Sequence, residues 1–81
     1  MNVQVRLFAR ARDLAGQDLI QLDVPSGGTV GDLRRYLAAA YPALGAILPR
    51  CALALEDQFA GDDVPLVMNT EVALLPPVSG G

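Results

Sequence analysis

Apolar residues fall at every second position at the front of the chain. Val3, Val5 and Leu7 alternate with Gln4 and Arg6, which predicts a strand over 2–8. Residues 9–15 have the makings of one short helical turn that Gly16 stops. Alternation returns at Ile20, Leu22 and Val24, a second strand over 18–24, before Pro25-Ser26-Gly27-Gly28 breaks the pattern. The period then changes. Val30, Leu33, Leu37 and Ala40 or Tyr41 form one helical stripe, with Arg34 and Arg35 off it. Thr29 and Asp32 have the spacing of a capping box at the helix start, and Pro42 ends it. Ala43–Pro49 reads as a compact connector with room for a 3₁₀ turn. Further strands follow over 51–55, briefly around Phe59, and over 71–75, where Pro76-Pro77 ends ladder pairing.

Strand, strand, helix, strand, short strand, strand predicts an α+β protein with a mixed sheet curled over one main helix. The first two strands are close in sequence and pair cheaply as antiparallel neighbours. The last can lie parallel to the first in the middle of the sheet, which is the β-grasp arrangement. One such domain is expected over 1–76, with 77–81 as a flexible C-terminal tail. Nothing repeats, and 81 residues leave no room for a second domain.

Composition removes many kinds of chemistry. The chain has no histidine and no lysine, so a His-based triad, a Schiff base and a P-loop lysine are all excluded. Its single cysteine, Cys51, excludes an internal disulfide, and the apolar strand pattern around it suits a packed thiol rather than a nucleophile. Six arginines face nine acids, a net charge of −3, which argues against nucleic acid as a partner. No apolar run reaches the ~18 residues of a membrane span, and the alternating N-terminus lacks a signal block, so a cytoplasmic location is expected. Asp62-Asp63 and Glu56-Asp57 are paired loop acids without a third ligand, best read as solvated charges. Gly27-Gly28 lacks the spacing of a phosphate cradle and reads as turn punctuation. Charged residues are 19% of the chain and apolar ones 52%, twelve of the latter alanine. A small domain this poor in charge either exposes an apolar patch to a partner or is simply alanine-rich.

The remaining candidate is Leu74-Leu75-Pro76-Pro77-Val78-Ser79-Gly80-Gly81. Two prolines stiffen the exit from the sheet, and two glycines fit a channel too narrow for any side chain. The last group is then the ionised α-carboxylate of Gly81. A carboxylate accepts a sulfur nucleophile only after activation, commonly as an acyl-adenylate made from ATP. The segment 77–81 reaches roughly 17 Å when extended, beyond the ~12 Å radius of gyration of such a domain. It can therefore enter another protein's active site while the body docks outside.

These residues resemble the MoaD/ThiS group of ubiquitin-like sulfur carriers, and within it the small subunits of molybdopterin synthase. The likeness covers essentially the whole chain. It is carried by Leu7-Phe8-Ala9-Arg10-Ala11-Arg12-Asp13-Leu14-Ala15-Gly16, by Thr29-Val30 with Leu33 and Tyr41-Pro42, and above all by the block from Glu71 to Gly81. It implies a non-catalytic carrier that binds no cofactor itself. An E1-like adenylyltransferase using ATP would activate Gly81, with Gly80 beside it. A donor such as a cysteine desulfurase or rhodanese system would then supply sulfur and leave a thiocarboxylate. The tail would insert into the large subunit of molybdopterin synthase, in a heterotetramer, and pass sulfur to cyclic pyranopterin monophosphate.

By position, the group's apolar docking surface maps onto Phe8, Phe59 and Leu75, with Pro76, Pro77, Val78 and Ser79 leading into the partner. On the residues alone, Phe8 and Leu75 suit either core or an exposed contact. Arg12 matches an arginine placed to help dock the adenylating enzyme, or is a solvated charge. Two positions depart from the group's pattern: Asn69-Thr70 stands where Gly-Asp is common, and Glu56 where Asn is common. The alternatives are a carrier for thiamine or tRNA thiolation, a ubiquitin-like modifier joined to lysines, and an interaction module with an inert tail.

Overall fold

A computed structural model describes residues 1–77. The alternating front of the chain builds β1 (Asn2–Leu7) and β2 (Leu19–Asp23), paired antiparallel with Val5 opposite Ile20. Between them lies a helix, α1 (Ala9–Ala15), closed by Gly16 in the left-handed conformation. A second helix, α2 (Val30–Ala40), follows, and then 3₁₀ turns at Pro42–Leu44 and Leu48–Arg50. The chain continues as β3 (Ala52–Leu55), β4 (Gln58–Ala60) and β5 (Glu71–Leu75). The sheet order is β2-β1-β5-β3-β4. β5 is parallel to β1, with Val72 beside Val5, and antiparallel to β3, so the predicted α+β arrangement forms.

One sheet face and the apolar stripe of α2 make the core. Val5, Val72 and Leu74 meet Val30, Leu33 and Leu37, and all six are fully buried. Full burial of such side chains contributes about 1.5–3 kcal/mol each. Tyr41, rather than Ala40, completes the stripe: Tyr41 is half-buried against the core and Ala40 is exposed. The capping box is present, with the Asp32 N–H donating to Thr29 Oγ1 at 3.3 Å and the Thr29 N–H donating to Asp32 Oδ2 at 3.0 Å. These bonds satisfy two N–H groups that the helix leaves open.

Three expectations shift at the edges. The first strand stops at Leu7, because Ala9 adopts a left-handed φ of +50° and turns the chain into α1, leaving Phe8 as its N-cap. Cys51 closes a 3₁₀ turn rather than opening β3, its N–H donating to the Leu48 carbonyl. Asp62 is not a free loop charge. It pairs with Arg34 at 2.9 Å, and Arg34 also donates to the carbonyl oxygens of Leu48 and Cys51. That guanidinium ties α2 to the connector and to the 61–63 loop. The loop packs so closely on the helix that a Cβ on Gly31 would lie 3.1 Å from the Asp62 carbonyl oxygen. Asn69, in the position where glycine is common, has a φ of +67°, which asparagine tolerates.

Candidate functional site

The outer face of the sheet divides by chemistry. Residues that alternate with the core point outward: Asn2, Gln4 and Arg6 on β1, Ala52 and Ala54 on β3, Phe59 on β4, and Glu71, Ala73 and Leu75 on β5. One cross-strand row runs Phe59, Ala54, Ala73, Arg6. The β3–β4 side is apolar and built on small alanines. The β1–β2 side is polar, with Arg6 Nε donating to Glu71 Oε1 at 3.0 Å. That hydrogen bond and charge hold the Arg6 guanidinium above its ordinary range.

The apolar side forms a trough of two depressions that share Phe8, Phe59 and Leu75. One, about 500 Å³, has Ala54 and Ala73 among its lining and Glu56, Asp57 and Glu71 as its charged residues. The other, about 450 Å³, has Ala9, Arg50, Ala52, Pro76 and Pro77 on its walls. Phe59 is 77% exposed and Phe8 40%, while Leu75 is half-buried. Both aromatic rings thus stand on the surface; of the two residues left open by the sequence, Phe8 is exposed and Leu75 lies between core and surface. Alanines at Ala52, Ala54 and Ala73 make the trough, since larger side chains would fill it. Three non-glycine residues with positive φ line it: Ala9, Glu56 (+49°) and Asp57 (+68°). Glu56 and Asp57 take this conformation as the two central residues of the β3–β4 hairpin turn, where Leu55 pairs with Gln58, and Ala9 takes it at the turn into α1.

The predicted site residues are brought together in part. Phe8, Phe59, Leu75, Pro76 and Pro77 share this trough, and the chain leaves the sheet along its wall. Arg12 does not join them; it lies on α1, 3.9 Å from Asp13, and lines a separate shallow depression with Gln17 and Asp18. Val78, Ser79, Gly80 and Gly81 lie outside the described residues. Sequence reasoning missed Arg50, the alanine floor and the acidic end. The signal for the floor was in the alternation, since Ala52, Ala54 and Ala73 fall at every second position of their strands. Cys51 stands behind β3 with 5% exposure, and burial pushes its thiol pKa up, as expected for a packed cysteine. No helix among the described residues is long and apolar enough to cross a membrane.

Five mixed strands over one long helix, with a central parallel pair formed by the first and last strands, define a ubiquitin-like β-grasp protein. Its solved likenesses include SAMP1 of Haloferax volcanii, at 29% identity and TM-score 0.87 with both chains fully covered. The chain matches the ThiS family over residues 5–81 and belongs to it. The molybdopterin synthase sulfur carrier subunit of Arabidopsis thaliana is 35% identical over 81 residues, covering 100% of this chain and 84% of that protein. A protein–protein complex of subunits 1 and 2 of molybdopterin-converting factor from Helicobacter pylori contains a chain 28% identical, both fully covered, at TM-score 0.70.

Proposed function

We propose that this chain is a sulfur carrier that serves a molybdopterin synthase as its small, non-catalytic subunit. The observation that carries this reading is the placement of Pro76 and Pro77 on the wall of the apolar trough. A partner seated on Phe8, Phe59 and Leu75 would find the departing chain already aimed along its own surface. The whole-chain relationship to sulfur carrier subunits supports the same assignment.

The reactive group is then the terminal carboxylate of Gly81, with Gly80 keeping it slim. Its oxygen attacks the α-phosphate of ATP on an E1-like enzyme, and pyrophosphate leaves. A persulfide sulfur from a cysteine desulfurase or rhodanese system displaces AMP, and a thiol cleaves the resulting acyl disulfide to leave a thiocarboxylate. Val78 and Ser79 carry that group into the large subunit, where sulfur passes to cyclic pyranopterin monophosphate. Arg12, apart from the trough, is a separate contact for the adenylating enzyme. The carrier binds no cofactor of its own and works in the cytoplasm.

The test is intact-mass spectrometry after incubation with an adenylating enzyme, ATP and a sulfur donor. Replacing one oxygen by sulfur adds about 16 Da at Gly81, and appending one bulky residue after Gly81 abolishes the gain while leaving the fold unchanged. A carrier whose mass never changes would sink the reading. The likeness to SAMP1 favours a second reading, a modifier joined to lysines through Gly81. Thiol-resistant conjugates that require Gly81 would select it. Restored thiamine growth without restored molybdoenzyme activity in carrier-null strains would instead select a ThiS-like branch.

A further inference from the structure

The trough is charged oppositely at its two ends. Arg50 sits just before β3, and Glu56 and Asp57 sit just after it, so the groups are separated by on the order of 20 Å at about 3.3 Å per residue. Arg50 is the charged residue of the depression beside Pro76 and Pro77; Glu56 and Asp57 border the other. Among the described residues none of the three forms a salt bridge, whereas Arg6, Arg12, Arg34 and Arg35 each do. Between the charges lie Phe8, Phe59 and Leu75.

Such a surface is complementary to itself. A two-fold axis lying between two facing copies, perpendicular to β3, reverses the strand direction. It sets Arg50 of each copy against Glu56 and Asp57 of the other, twice, and, because each strand then faces its own counterpart, brings the exposed Phe59 rings of the two copies side by side on β4. We propose that the free chain forms a weak two-fold dimer through this face, which hides its apolar trough until a partner takes it. The occupant is a second copy because the chain's own charge pattern supplies both halves of the match. The dimer itself does not depend on the sulfur-carrier reading; only its release to a partner rests on that reading.

The experiment is sedimentation velocity on the full chain from about 10 µM to 1 mM, a range suited to small interfaces. The expected mass rises with concentration from 8.5 kDa toward twice that value, and high salt opposes the rise. Arg50→Glu places like charges at both contacts and weakens association at least tenfold. The double variant Glu56→Arg/Asp57→Arg does the same. An equimolar mixture of these two proteins restores association, because every contact in the mixed dimer is again between opposite charges. Phe59→Asp disrupts the dimer by an independent route, through its apolar centre. Circular dichroism checks that each variant is folded. A wild-type chain that stays monomeric at the highest concentration overturns the proposal, as does a dimer indifferent to the charge reversals or a mixture that fails to associate. A chain monomeric throughout but held by a large-subunit partner would assign the charges to that partner and equally overturn it.

Discussion

Replacing Phe59 by alanine separates docking from folding. The ring is 77% exposed in the free chain, so it contributes little to the folded core. Burying a whole phenylalanine side chain contributes about 1.5–3 kcal/mol, and roughly three-quarters of that remains to be gained on docking. The expected loss of binding free energy is therefore about 2 kcal/mol, or roughly thirtyfold in affinity. Aromatic anchors at the centre of an interface often exceed such an area estimate. Titration calorimetry against the molybdopterin synthase large subunit measures the loss, and thermal unfolding of the free variant measures the fold. The melting temperature stays close to that of the parent chain. Leu74→Ala is the converse control: it lies two strands away on β5, fully buried, and costs about 2–5 kcal/mol of stability. Unchanged affinity in Phe59→Ala would refute the assignment of the trough as the docking face. So would a loss of affinity matched by an equal loss of stability.

Four further outcomes follow from the same geometry. Thr29→Ala removes the helix cap and costs about 1 kcal/mol in denaturant unfolding. Backbone hydrogen bonding from Thr29 holds the Asp32 carboxyl below its ordinary range, so its contribution is present above the unfolded-state value near ~4 and is lost as pH falls through the lower folded value; Asp32→Asn flattens that acid limb. Arg34→Met strips the donor from the Leu48 and Cys51 carbonyls and from Asp62, and urea titration should register a loss of about 1–3 kcal/mol. Cys51 reacts slowly with iodoacetamide in the native chain and quickly once unfolded, because its thiol is buried and its pKa raised; equal rates in the two states would contradict this.

The elements were legible because their periods are clean. Val3, Val5 and Leu7 could face only one way, and the Thr29–Asp32 spacing fixed the helix start. The trough was legible only in part, because a sheet's outer surface is assembled from strands far apart in sequence. Phe59 and Leu75 carry no local sign of being neighbours; they meet because β3 lies between β4 and β5. Arg34 was hidden for a similar reason. Its stripe position marks it as off the core, yet its partners come from two later segments. The positive φ at Glu56 and Asp57 belongs to the two-residue turn that joins β3 to β4, and the one at Ala9 to the turn into α1; neither carries a glycine to announce it in the sequence.

The pairing of Gln4 with Glu71 carries a consequence for synthesis of the protein. β1 can pair with β2 as soon as both have emerged, but β1 and β5 come from opposite ends of the message, so the centre of the sheet cannot close until nearly all of the chain is made. Pro76 and Pro77 take their places only when that closure is complete. An unfinished or misfolded copy would lack the trough wall that Pro76 and Pro77 complete, so topology alone separates finished copies from unfinished ones.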